Sequence, residues 1–217
     1  MNADPHRDQP VLRSGVSLEK ADGAILLLHG RGDSAENILA LGKAIGAPGL
    51  AYLAPQAAGS TWYPNSFLAP LEQNEPVLSS ALRKVQATIQ LVVAARVPAD
   101  RIVICGFSQG ACLATEFVAR HPLRYGGLIA FTGGLIGPLD ADMNHTGDLK
   151  GTPAFLGSGD PDPHVPWQRV QQSAEVLKQM GAFVTARRYP GIAHSITPEE
   201  IELGHQLVQN AFSERCP

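Results

Sequence analysis

The chain has 217 residues, 44% of them hydrophobic and 17% charged, with a formal net charge of −3. That length admits one α/β domain with a sizeable core, and the near-neutral balance argues against nucleic-acid binding and against a charged membrane surface as partner. No apolar run is long enough to span a bilayer, so stable membrane insertion is not expected. Residues 1–10 are polar and charged and lack the apolar stretch of a signal peptide. They are expected as a flexible tail ahead of a single domain over 11–217. The three cysteines are Cys105, Cys112 and Cys216. An odd number without framework spacing argues against a disulfide scaffold and for a reducing cytoplasm. Cys105 and Cys112 fall in apolar stretches and read as small core hydrophobes.

Residues 11–13 and 16–18 suggest a short hairpin turned at Gly15. Residues 24–28 are continuously apolar, as suits a central strand buried on both faces. The run ends at His29-Gly30-Arg31-Gly32-Asp33. Ser34 then caps a helix to about Ile45, with Glu36 in its first turn. Residues 50–53 form the next strand, closed by Ala54-Pro55. A long irregular piece follows over 56–75. Its Trp62, Phe67 and Leu68 lie among prolines and read as the wall of an acyl pocket, with capping of the core as the competing reading. A helix over 76–96 precedes a short β-branched strand that starts at Ile102 and leads into Gly106. Further strands are expected at 127–131, 153–156 and 183–189. Helices are expected at 166–180 and after Thr197-Pro198-Glu199-Glu200. Strand and helix alternate along the chain, which predicts one doubly wound, mostly parallel sheet with helices on both faces and no large cap domain.

Between the strand at 102 and the next helix stands Gly106-Phe107-Ser108-Gln109-Gly110. Strand, Gly-x-Ser-x-Gly and helix together are the context of a nucleophile elbow. The tight turn pushes the serine Oγ into the open, and the new helix aims its first N–H groups at the same spot. A serine hydroxyl is a weak nucleophile until a histidine base and an orienting acid support it. In chain order the acid comes next and the histidine last, each from a loop after a strand. His194 stands after the strand at 183–189. The loop after 153–156 offers two acids, Asp160 and Asp162, and spacing admits either. Pro161 and Pro163 flank Asp162 and stiffen it, which favours Asp162.

Four pieces together resemble the phospholipase/carboxylesterase family of small α/β-hydrolases, which includes bacterial carboxylesterases and acyl-protein thioesterases. They are Leu28-His29-Gly30-Arg31-Gly32-Asp33, Gly106-Phe107-Ser108-Gln109-Gly110, Gly159-Asp160-Pro161-Asp162-Pro163-His164-Val165-Pro166 and Gly191-Ile192-Ala193-His194-Ser195. The resemblance implies the α/β-hydrolase fold, with Ser108 as nucleophile, His194 as base and Asp162 as its partner. It places the oxyanion donors on the backbone N–H groups of Arg31 and Gln109. Trp62-Tyr63 resembles the family's aromatic pair near the acyl site. Pro64 follows where the thioesterases commonly carry Asp, and Arg31 is more like the family's bacterial esterases.

The remaining histidines read as structural. His29 orders the loop after the first buried strand, His121 caps a helix end, and His145, His164 and His205 are surface or satisfied polar residues. Asp160, Asp162 and His164 could imitate a metal cluster, but no further ligand pair accompanies them, and neither metal nor cofactor is expected. The expectation is a serine carboxylesterase acting on short- to medium-chain esters through an acyl-enzyme. An acyl-protein thioesterase or lysophospholipase would use the same machinery, and a non-catalytic binding protein of the same fold is the alternative from another class. The expected partner is a small ester, with a homodimer as the further partner considered.

Overall fold

All six residues of the strand Gly23–Leu28 (β2) are buried, which is what a continuous apolar run requires of its surroundings. The computed structural model describes residues 4–213; Cys216 lies outside them. Within them the other strands are Val11–Gly15 (β1), Leu50–Pro55 (β3), Ile102–Phe107 (β4), Gly127–Phe131 (β5), Pro153–Asp160 (β6) and Phe183–Pro190 (β7). The helices are Ala35–Ile45 (α1), Val77–Ala94 (α2), Gln109–Arg120 (α3), Trp167–Gln179 (α4) and Pro198–Ser213 (α5). They form one seven-stranded sheet in the order β1-β3-β2-β4-β5-β6-β7. Only the β1–β3 pairing is antiparallel.

Alternate residues of the central strands feed two separate cores. Leu26, Leu28, Ile104, Leu128 and Leu156 face α2, α3 and α4 with Leu82, Val85, Phe117 and Val170. Ile25, Leu27, Val103, Cys105, Ile129 and Phe131 face the other way, against Ile38 and Ile45 of α1 and Val208 of α5. Period-two alternation on strands buried on both sides produces this division. Helix α3 is buried along 109–119, because it lies between the sheet and α2. Capping follows the sequence closely. Ser34 Oγ accepts from Asn37 N–H at 3.2 Å at the start of α1. At the start of α5, Thr197 and Glu200 bond reciprocally as a capping box, with Pro198 as the first helical residue. Among the described residues no helix is long and apolar enough to cross a membrane.

Three expectations need correction. The hairpin at Gly15 does not form. Gly15 turns the chain with φ +78°, but Leu18–Lys20 becomes a 3₁₀ turn that buries Leu18, and β1 pairs instead with the free edge of β3. Strand β6 runs on through Gly157, Ser158 and Gly159 to Asp160, because β7 offers it pairing over all eight residues. Residues 4–10 are packed rather than loose. His6 is fully buried, its Nε2 donates to Trp62 O at 3.0 Å, and its Nδ1 accepts from Ala58 N–H at 3.0 Å. Ser80 Oγ joins the same strap by donating to Asp4 Oδ1 at 2.6 Å, and Lys84 Nζ donates to Arg7 O and Gln9 O. The segment 4–10 is held by α2 and by Ala58 and Trp62, which its own composition does not reveal.

Candidate active site

Strand β4 enters the elbow at Gly106, and α3 leaves it at Gln109. Ser108 between them has φ 55° and ψ −120°, a conformation that costs an L-residue on the order of 1–3 kcal/mol. The flanking glycines make the turn sterically feasible. A Cβ on Gly106 would stand 2.4 Å from the Gly110 backbone, and one on Gly110 would stand 2.1 Å from Leu28 O. Both obstacles are backbone and cannot swing aside. The strained serine is held by its N–H to Phe131 O at 2.9 Å and by its carbonyl, which accepts from Cys112 N–H at 3.0 Å.

Three side chains from three loops meet there. Ser108 Oγ lies 2.8 Å from His194 Nε2, and His194 Nδ1 lies 2.8 Å from Asp162 Oδ2. The Asp162 side chain is closed from solvent, while that of His194 is 20% exposed. A carboxylate facing Nδ1 requires the proton on that nitrogen, which leaves Nε2 free to accept the serine hydroxyl. The other carboxylate oxygen, Asp162 Oδ1, accepts from the N–H of His164 at 2.7 Å and of Val165 at 2.8 Å. Asp160 is engaged elsewhere. Its carboxylate pairs with Arg188 of β7 rather than with loop N–H groups, because β6 continues through it as strand.

The site opens into a cleft of about 520 Å³. Phe107, Phe67 and Tyr63 supply apolar lining, and Arg31 and Gln109 also border it. Of the expected pocket residues, Phe67 lines the cleft. Trp62 does not; it is fully buried beneath the loop because its polar groups are all used. Its ring N–H donates to His29 O at 2.9 Å, its backbone N–H to Gln109 Oε1 at 2.9 Å, and its carbonyl accepts from His6. Leu68 is half-buried against the core and does not line the cleft. Trp62 and Leu68 therefore follow the core-capping reading of this loop. Cys112 borders the cleft, but burial pushes its thiol up to about 12, so it stays protonated and inert at neutral pH.

His29 is a fixed neutral imidazole. Its Nε2 accepts from Ala57 N–H at 3.1 Å, so its Nδ1 donates to Gly30 O at 2.7 Å. Burial lowers its pKa, in keeping with that role. His164 has a more central place than expected. Its ring stands edge-on to His194 with centroids 4.9 Å apart, and it lines the cleft.

A model of the phospholipase/carboxylesterase family matches residues 16–210. The chain belongs to the phospholipase/carboxylesterase family. Within that family, it is 45% identical to a phospholipase/carboxylesterase from Dyadobacter fermentans DSM 18053 whose crystal structure superposes with a TM-score of 0.89, covering 93% of this chain and 96% of that one. Over 132 residues it is 32% identical to the Arabidopsis thaliana protein named probable carboxylesterase SOBER1-like, covering 60% of this chain and 50% of that protein. Over 131 residues it is 34% identical to acyl-protein thioesterase 1 of Neurospora crassa, covering 59% of this chain and 52% of the relative. The chain thus spans about half the length of these two relatives. Family and sheet order together make this the α/β-hydrolase fold, with no large cap domain among the described residues.

Proposed function

We propose that this chain is a serine carboxylesterase that cleaves short- to medium-chain esters through a Ser108–His194–Asp162 triad. The observation that carries the reading is the unbroken relay from Ser108 Oγ to Nε2, and from Nδ1 to Asp162, at 2.8 Å for each step. His194 takes the serine proton as Oγ attacks the ester carbonyl, then returns it to the departing alcohol. Asp162 holds the tautomer and stabilises the imidazolium. The backbone N–H groups of Arg31 and Gln109 hold the tetrahedral oxyanion, and losing one such donor typically costs about 10²–10³ in turnover. Water then attacks the acyl-enzyme with His194 again as base. The open cleft of about 520 Å³, walled by Phe67 and Tyr63, accommodates a modest acyl chain.

The same relay would cleave a thioester, and the Neurospora crassa relative named acyl-protein thioesterase keeps that reading in second place. Free, buried Cys105 and Cys112 support a reducing cytoplasmic setting, and we read 11–217 as a single domain. The deciding experiment is hydrolysis of p-nitrophenyl esters from acetate to palmitate beside the matching thioesters, with Ser108→Ala as control. The expected result is a maximum at short to medium esters, abolished in the variant. A preference for long-chain thioesters would replace esterase by thioesterase.

A further inference from the structure

The two oxyanion donors come from different loops, and the β2–β4 ladder that aligns those loops ends at Leu28 and Gly106. Beyond it, Arg31 sits exposed between Gly30 and Gly32, and Gly32 has φ +77°. A glycine-flanked exposed turn does not hold an N–H in one direction by itself. Something else must fix it.

The turn closes on itself through Asp33 N–H to Gly30 O at 3.2 Å, and the segment 57–65 supports it from outside. The Gly32 N–H donates to Ser60 O at 2.7 Å. The Arg31 guanidinium donates to three consecutive carbonyls, Tyr63 O at 2.9 Å, Pro64 O at 2.8 Å and Asn65 O at 2.7 Å. The Gln109 side chain also holds this segment: it accepts from Trp62 N–H at 2.9 Å and donates to Tyr63 O at 2.8 Å. The two residues assigned as oxyanion donors therefore grip adjoining parts of one segment with their side chains, Arg31 at 63–65 and Gln109 at 62–63, and Tyr63 O receives from both. Tyr63 itself also lines the cleft where the acyl chain is expected.

We infer that Arg31 is a positioning residue, whose guanidinium braces the oxyanion turn against the 62–65 segment and so sets the spacing of the two donors. The inference rests on the esterase reading of the site. The brace depends on fork geometry as well as charge. A guanidinium reaches three carbonyls at once from one plane, whereas an ammonium is a single point donor. The brace also ties the acyl wall to the oxyanion turn, because Tyr63 lines the cleft while its carbonyl accepts from the side chains of both Arg31 and Gln109.

The test uses Arg31→Leu and Arg31→Lys, which keep the backbone N–H. kcat and KM are measured with p-nitrophenyl butyrate, and Ki with an alkyl trifluoromethyl ketone, whose serine adduct carries an oxyanion. For Arg31→Leu, kcat/KM and ketone affinity are expected to fall together by about 10- to 100-fold, mostly in kcat, as a misplaced donor dictates. For Arg31→Lys a loss of at least about fivefold is expected in both. Values within about threefold of wild type in both variants would overturn the brace. If Arg31→Leu melts early, the Arg31→Lys comparison decides alone on the same limits. A wild type that neither hydrolyses the ester nor binds the ketone removes the esterase reading and the brace with it. An active wild type and a dead Ser108→Ala beside two unimpaired Arg31 variants, or beside an unimpaired Arg31→Lys where Arg31→Leu melts early, remove the brace only.

Discussion

The Nδ1–H of His194 meets Asp162 Oδ2 at 2.8 Å, at a carboxylate whose side chain is wholly shielded from solvent. Two backbone N–H groups, from His164 and Val165, occupy its other oxygen. Asp162 is therefore oriented before any substrate arrives, and it can pair with only one imidazole tautomer.

Asp162→Asn should leave folding nearly intact and lower kcat by up to about 10⁴, the scale of a histidine held in the wrong tautomer. Asp160→Asn should change kcat little, since it removes a partly exposed pair with Arg188 worth about 1 kcal/mol or less. Steady-state kinetics and urea unfolding of both variants check this. An inactive Asp160→Asn beside an active Asp162→Asn would exchange the two assignments.

Phe67 and Trp62 should separate under substitution. Phe67→Leu trims the cleft wall and is expected to move the acyl-length optimum toward longer chains. Trp62→Phe removes the ring N–H that donates to His29 O and is expected to cost about 1–3 kcal/mol of stability, with the chain-length profile kept. Ester-panel kinetics and denaturant midpoints measure both. An unchanged profile in Phe67→Leu returns that side chain to core capping.

Acid sensitivity should originate partly at His6. Burial lowers its pKa below the ordinary 6.5, opposed by the Trp62 carbonyl and by Asp4, while Lys84 and His29 lower it further. The unfolded chain therefore takes up this proton at a higher pH than the folded one does. Its contribution to stability is full above about 6.5 and is lost as pH falls from there through the lower folded value. Unfolding free energy should drop between pH 7 and pH 5, and His6→Gln should flatten that slope. A slope as steep in the variant as in the wild type would clear His6 of the effect.

The elbow is legible because its signal is local, five consecutive residues between an apolar strand and a helix. Gly106 and Gly110 stand where any Cβ would strike backbone, and the strand before and helix after Ser108 announce themselves by apolar pattern. Chain order points to His194 and to the loop that carries Asp160 and Asp162, and flanking prolines favour Asp162; the structure brings Ser108, His194 and Asp162 together. What stayed hidden depends on partners distant in sequence. The burial of His6 needs Ser80 and Trp62, and the pairing of β1 needs the edge of β3. The grip of Arg31 on 63–65 needs a loop more than thirty residues away. Trp62 in a proline-rich loop carries no sign of whether its ring turns to the cleft or to the core. Hydrogen bonds to His29 and Gln109 decide that, and only the folded chain brings them together.

The central claim is that Ser108 is the nucleophile, and covalent labelling tests it most directly. The protein is treated with a fluorophosphonate, its intact mass is measured, and the modified peptide is sequenced. A single adduct on Ser108 is expected, formed in step with loss of ester hydrolysis and absent from a folded Ser108→Ala variant that has lost activity. An adduct on another residue, or a folded Ser108→Ala protein that still turns over ester at a rate near wild type, would contradict the account.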